Sequence, residues 1–322
     1  MICMNEEKKA VVLGATGAIG SAIVRELAKK GKKVRAITRS EKKAKEMFAG
    51  MNVEIMEADV LNPKEAEKSV EGAEIVYHSI GIPYMKWTKL FPKIQANIIQ
   101  AMKKSKGRLA YVDNLYMYGK MQGEKIVEDH PRAATSEKGK LRERLAQELL
   151  EKHKEEFPVV ITRFPDFYGP NVVNGFSKPL FENPLKNKRA SWTGSLDKKH
   201  SLIFIEDAAK AMIDIAENPD LYGEIWHVEG AEAVTGREFI TMIYEQLGKE
   251  PKMRVLKKWV AKILGLFVPV VRELTELYDQ WEYPFVIDGT KYRKINKNQQ
   301  VTPHEEGIRK TLDWFEKQID NE

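Results

Sequence analysis

The chain has 322 residues, 43% of them apolar and 31% charged, with a formal net charge of +6; this length can bury a substantial core, and the composition excludes a disordered, collagen-like or membrane-spanning chain. The single cysteine, Cys3, excludes an internal disulfide and a thiolate metal cluster, and the charged start runs straight into an apolar strand with no secretion signal, so a cytoplasmic location is expected. Lysines alternate with glutamates as on solvated helix faces, which points away from nucleic acid as a partner.

Short β-branched runs at 10–13, 34–37, 53–56, 75–77 and 109–112 are strand-sized, and 18–30, 40–49, 63–70 and 86–104 between them have the length and periodicity of crossover helices. Strands alternating with helices predict an α/β fold, a Rossmann-type doubly wound parallel sheet covered on both faces. A helix over 136–156 leads into a strand at 159–162; Gly and Pro then become frequent, while 202–205 and 225–228 read as strands rejoining a sheet. The predicted division is a cofactor-binding domain of 1–168 plus 199–230, interleaved with a smaller substrate-binding domain of 169–198 plus 231–322. In the stretch 256–271, Lys257, Lys258 and Lys262 flank Trp259, Val260, Ile263, Leu264, Leu266 and Phe267. It is too short to span a bilayer and is expected to be an amphipathic helix packing on its own domain or lining an apolar pocket, with a membrane-surface helix as the alternative.

Gly14-Ala15-Thr16-Gly17-Ala18-Ile19-Gly20 directly follows the first strand and opens the first helix. Glycine there allows a tight turn and close approach of a pyrophosphate, and the helix N-terminus offers free amides and a positive dipole, so a dinucleotide is expected on this turn. Nineteen residues past Gly20, at the end of the second strand, stands Arg39 rather than an acidic residue, followed by Ser40, Lys42 and Lys43. An acid would grip a ribose diol, whereas arginine suits a 2′-phosphate, so the expected cofactor is NADP, with NAD possible.

The glycine turn, Asp59-Val60 after the third strand, Tyr111 to Gly119 ending in Tyr-Gly, Arg163 to Pro170 ending in Tyr-Gly-Pro, and Phe204-Ile205-Glu206-Asp207-Ala208-Ala209 together resemble the short-chain dehydrogenase/reductase superfamily. The similarity covers nearly the whole chain and lies with the extended and atypical branches, often labelled NAD-dependent epimerase/dehydratase. It implies adenine contacts for Asp59 and Val60, and places Ser79, Ile80 and Gly81 beside the adenosine ribose and nicotinamide. It also implies a homodimer through the helices at 89–104 and 136–156.

Catalysis in that family uses a Tyr-x-x-x-Lys helix motif with a Ser or Thr after the fifth strand. This chain lacks the set: Asn114 stands at the Ser/Thr position, and Lys138 and Lys140 are preceded four residues earlier by Ala134 and Ser136. Tyr116 and Tyr118, on the loop leaving the fifth strand, are the candidate proton donors, Asn114 the candidate substrate orienter, and Lys138 or Lys140 the candidate holder of the nicotinamide ribose. Asp166 stands where family members acting on sugar nucleotides commonly carry Asn near the diphosphate, and a carboxylate there counts against such a substrate. Tyr84, Trp87, Asp166 and His200 are the candidate substrate-lining residues, and the scattered histidines show no metal-ligand spacing. The leading expectation is an NADP-dependent reductase of a carbonyl or activated double bond on a small molecule. The alternatives are an epimerase/dehydratase of a sugar-like substrate with retained cofactor, and a non-catalytic cofactor sensor or scaffold.

Overall fold

A computed structural model describes residues 9–121, 124–267, 269–297 and 299–320; Cys3 lies outside the described residues. The first half is β1 (Lys9–Leu13), α1 (Ala18–Lys29), β2 (Val34–Thr38), α2 (Glu41–Met47), β3 (Val53–Glu57), α3 (Pro63–Val70), β4 (Ala73–His78), α4 (Trp87–Ser105), β5 (Arg108–Asp113), α5 (Glu137–Glu155) and β6 (Val159–Arg163). There follow β7 (Asp166–Tyr168), α6 (Ser177–Leu185), β8 (Ala190–Thr193), β9 (Lys199–His200), β10 (Leu202–Phe204), α7 (Ile205–Glu217) and β11 (Ile225–His227). The chain ends with β12 (Val234–Thr235), α8 (Gly236–Gln246), β13 (Met253–Leu256), α9 (Lys258–Gly265), α10 (Pro269–Thr275), α11 (Asp279–Glu282), α12 (Thr290–Ile295) and α13 (His304–Asp320).

Seven strands form one parallel sheet in the order β3-β2-β1-β4-β5-β6-β11. The fold is therefore α/β and Rossmann-like. The chain steps outward from β1 to β3, returns to β4 and then runs the other way, so the sheet reverses direction between β1 and β4, where such folds open a crevice at the carboxyl ends of their strands. Val11, Val12 and Leu13 of β1, like Val159, Val160 and Ile161 of β6, are wholly buried, as expected of strands covered on both faces. On one face α1 turns Ile19, Ile23, Val24 and Leu27 inward and packs with α7; on the other lie α3 and α4. Local signals start the helices. Ser40 caps α2, Asn62 caps α3 with Pro63 in its first position, and Thr235 with Glu238 forms a reciprocal capping box on α8.

Two expectations are corrected. Ile225–His227 joins the central sheet, but Leu202–Phe204 does not: it pairs with Asp166–Tyr168 in a separate two-stranded sheet, because that strand carries the chain towards a second core built on Tyr168, Phe181, Trp192, Phe239 and Phe315. The stretch 256–271 is not one helix. Its first residue ends β13, and α9 stops at Gly265, where a Cβ would stand 3.0 Å from the Arg272 Cα, so the chain doubles back and packs α10 against α9.

Candidate active site

Gly14 has φ +78°, and a Cβ there would lie 2.9 Å from the Ile80 Cα; at Gly20 it would lie 2.2 Å from the Gly14 carbonyl oxygen. Glycine is thus required where β1 turns under the end of β4 and where α1 presses on that turn. Ser79 Oγ donates to the Leu13 carbonyl at 2.8 Å and ties the two strand ends together. α1 begins at Gly17 with no side-chain cap, so its first amides and the positive end of its dipole face the cavity above it. That cavity measures about 410 Å³ and sits at the reversal of the sheet.

Gly14, Thr16, Gly17, Ala18, Ile19, Arg39, Asp59, Val60, Ser79, Ile80 and Gly81 all line it. Gly20 lies beneath, as a packing glycine. Ser40 is not in the lining; its hydroxyl accepts the Lys43 amide as the cap of α2. Lys43, one turn into α2, does line the cavity beside Arg39. Sequence reasoning missed the apolar wall of Ile82, Leu90, Ile94 and Phe167. It also missed Asn171, whose Nδ2 donates to Ser21 Oγ at 2.9 Å and to the Gly17 carbonyl at 3.3 Å, buttressing the glycine turn from the segment that follows β7. Phe167 stands beside Asp166 in sequence; Asn171 carries no local signal.

The catalytic candidates separate. The Tyr84 and Tyr116 hydroxyls are hydrogen-bonded at 2.7 Å, and Trp87 stacks on Tyr116 with centroids 5.9 Å apart while its indole N–H donates to the Ile82 carbonyl at 2.8 Å. Burial first, and the charge of Asp166 with it, push the Tyr84 phenol up to about 12 and the Tyr116 phenol well above the ordinary phenol range. Asp166 itself, at the start of β7, is pushed up from 3.8 to about 7 by burial. Two phenols that keep their protons and one carboxyl poised near neutrality therefore form one electrostatic cluster. Asn114 Oδ1 accepts the Tyr116 amide at 3.1 Å, so this side chain shapes the loop that presents Tyr116.

The other candidates serve different ends. Tyr118 is fully buried; its hydroxyl accepts from Arg163 at 2.7 Å and lies 2.7 Å from His227 Nε2. His227 Nδ1–H donates to the Ile126 carbonyl, and burial holds this ring down to about 3, so it is neutral and Nε2 accepts a hydrogen bond from the Tyr118 hydroxyl. Asp113 continues this network by accepting from Arg163 Nε at 3.0 Å and Arg142 Nε at 2.8 Å, welding β5, β6 and α5. Tyr118 is thereby a structural phenol rather than a proton donor of the cleft. Lys138 and Lys140 do not line the cavity. Lys138 Nζ is buried and held by Glu273 at 2.5 Å and Glu276 at 2.6 Å, from α10 and just beyond it; Lys140 projects outward and pairs with Glu137. His200 is sealed among Trp192 and Trp281 and held down to about 4 by burial, which makes it a core residue rather than a lining one. No group of His, Cys, Asp and Glu among the described residues is arranged to hold a metal ion.

Residues 10–228 match the sequence model of the NAD dependent epimerase/dehydratase family. A Bacillus subtilis (strain 168) protein described as an uncharacterized UDP-glucose epimerase is 24% identical over 274 residues, covering 78% of this chain and 85% of its own length. Among solved structures, dTDP-glucose 4,6-dehydratase from Bacillus anthracis in complex with NAD superposes with a TM-score of 0.81 at 16% identity, covering 97% of this chain and 98% of that one. UDP-glucuronic acid 4-epimerase from Bacillus cereus, in complex with UDP-glucuronic acid and NAD, gives 0.79 at 19% identity over 96% and 99% of the two chains.

Proposed function

The chain belongs to the NAD-dependent epimerase/dehydratase family, and from that premise we propose that it epimerises or dehydrates a sugar-like substrate with a nicotinamide dinucleotide that is regenerated in each cycle. This reading replaces the reductase expectation, because the family and the similar proteins named above are epimerases and dehydratases. The observation that carries it is the glycine-turn cavity at the sheet reversal, whose lining residues Ile82 and Phe167 stand close in the chain to Tyr84 and Asp166, the latter coupled electrostatically to the hydrogen-bonded Tyr84 and Tyr116.

Gly14, Gly17 and the first amides of α1 would hold the pyrophosphate, which the close glycine packing and the uncapped helix start suit. Arg39 and Lys43 would take a 2′-phosphate, so NADP is preferred although similar structures hold NAD. Bound there, the dinucleotide would supply reversible hydride transfer at the substrate carbon. Asp166 takes the proton of the substrate hydroxyl and later returns it, since a carboxyl near neutrality exchanges protons where a phenol near 12 does not. Tyr116, steadied by Tyr84, donates a hydrogen bond to the same oxygen. An ionised Asp166 repels a nearby diphosphate, so the substrate presents a hydroxyl to it, and any phosphate lies elsewhere. The smaller unit, 169–198 plus 231–322, admits the substrate, and a cytoplasmic setting supplies the cofactor.

The test is turnover of a sugar and sugar-nucleotide panel with substoichiometric NADP+ or NAD+, followed by NMR. Many product molecules per cofactor, with no accumulated reduced cofactor, support the reading. Product formed only in proportion to NADPH consumed would return the assignment to a reductase; tight cofactor binding with no turnover would favour the sensor.

A further inference from the structure

Between Leu256 and Arg272 the sequence contains Lys257, Lys258, Lys262 and Arg272 and no acidic residue. The hairpin of α9 and α10 built from this stretch has a clear inner and outer face. Ala261 faces inward and is 2% exposed, whereas Trp259, Ile263 and Leu266, spaced four and three residues apart on one helical stripe, are 63%, 52% and 78% exposed. Phe267, at the turn, is 80% exposed. Leu266 and Phe267 are the most exposed large apolar side chains among the described residues. α10 packs on the turn at Tyr84–Lys86, which adds the half-exposed Met85 to the same region. Glu273 and Glu276 anchor the hairpin through Lys138, so the stripe is held outward by two buried ion pairs.

A contiguous apolar stripe of this kind marks a surface that something covers. Its chemistry selects the occupant. Tryptophan and phenylalanine at the edge of an apolar stripe, with Lys257 and Lys258 alongside, are the composition of a helix that lies in a membrane interface beside anionic headgroups; the nearest acids, Asp279 and the anchoring Glu273, lie off the stripe's own helix. Pairing with a second copy through the same stripe would bring Lys257 and Lys258 of one copy close to those of the other, whereas anionic headgroups meet them with opposite charge. Among the described residues no helix is long and apolar enough to cross a membrane, so the contact is at the surface. We propose that the α9–α10 hairpin is a docking surface for an anionic lipid membrane: Trp259, Ile263, Leu266 and Phe267 enter the headgroup layer, and Lys257 and Lys258, the latter also bonded to Asp279, meet the anionic headgroups.

Flotation of the full chain tests this with vesicles of phosphatidylcholine alone and of phosphatidylcholine mixed with phosphatidylglycerol. Capture is expected to be at least about tenfold greater on the mixed vesicles and to fall with added salt. The double variant Leu266→Glu with Phe267→Glu is expected to drop to the neutral-vesicle level while its circular dichroism and melting temperature match the wild type, since both side chains are exposed. Lys257→Gln with Lys258→Gln is expected to lose most of the anionic preference. Equal capture on both vesicle types, or undiminished capture of the Leu266→Glu/Phe267→Glu variant, overturns the proposal. So does a dimer that light scattering shows and this same variant dissolves, with no vesicle capture by the wild type; that result assigns the face to a second copy.

Discussion

Replacing Asp166 by asparagine separates the cost of this carboxyl from its use. Its pKa rises from 3.8 to about 7 on folding, with burial as the cause. Between those values the unfolded chain has lost the proton and the folded chain keeps it, so the folded state binds more protons and stability falls as pH rises. Below the lower value both states are protonated and the cost vanishes; above the upper one it is complete. Three pH units at about 1.4 kcal/mol each give a ceiling of about 4 kcal/mol, and because Asp166 is not wholly closed to solvent, water reduces this to about 2–4 kcal/mol. Asparagine carries no ionisation cost, so Asp166→Asn is expected to be more stable than wild type by that amount at about pH 8 and to converge with it near about pH 4. Urea denaturation at several pH values measures the difference directly, since every other titrating group cancels between the two proteins. A stability difference that does not change with pH would refute the reasoning. In the same variant turnover should fall roughly a hundredfold or more with cofactor affinity retained, and wild-type kcat should rise through about pH 7 if Asp166 acts as the base.

Arg39→Ala is expected to weaken NADP+ about tenfold and leave NAD+ unchanged, read by calorimetry. Tyr116→Phe should lower kcat by roughly tenfold or more with a stability loss of about 1 kcal/mol, because among the described residues the hydroxyl's hydrogen-bond partner is Tyr84. Tyr118→Phe should do the reverse: removing the acceptor of Arg163 and the donor to His227 costs about 1–3 kcal/mol in denaturant melts while kcat is kept. Light scattering is expected to show a dimer formed through α4 and α5, and a concentration-independent monomer removes that expectation.

The sheet was legible because its signals are local: apolar β-branched runs, cap residues such as Ser40 and Asn62, and a glycine turn between strand and helix each act within a few residues. Most of the cavity lining followed from the same turn and from the ends of β2, β3 and β4. What failed to show is what depends on partners distant in sequence. Lys138 reads as a free helix lysine until Glu273 and Glu276 arrive from the far end of the chain, and Tyr118 reads as a cleft phenol until Arg163 and His227 close on it. The carboxyl of Asp166 was visible as an oddity, but its poise near neutrality comes from burial, which no local pattern encodes. The break at Gly265 was equally hidden, because it reflects the close approach of α10 rather than a weak helix former alone.

Every role assigned to the cleft requires a dinucleotide at the uncapped start of α1, and Gly17→Val probes that contact alone. Gly17 has φ −75° and ψ 172°, which valine adopts without strain, and its Cβ would stand 3.2 Å from the Gly14 carbonyl oxygen, a tight but local contact beside the amides that face the cavity. Calorimetric titration with NADP+ and NAD+ should show wild type binding and Gly17→Val at least about tenfold weaker at an unchanged melting temperature. Wild type that binds neither dinucleotide, or a folded Gly17→Val that binds as wild type does, would contradict the account.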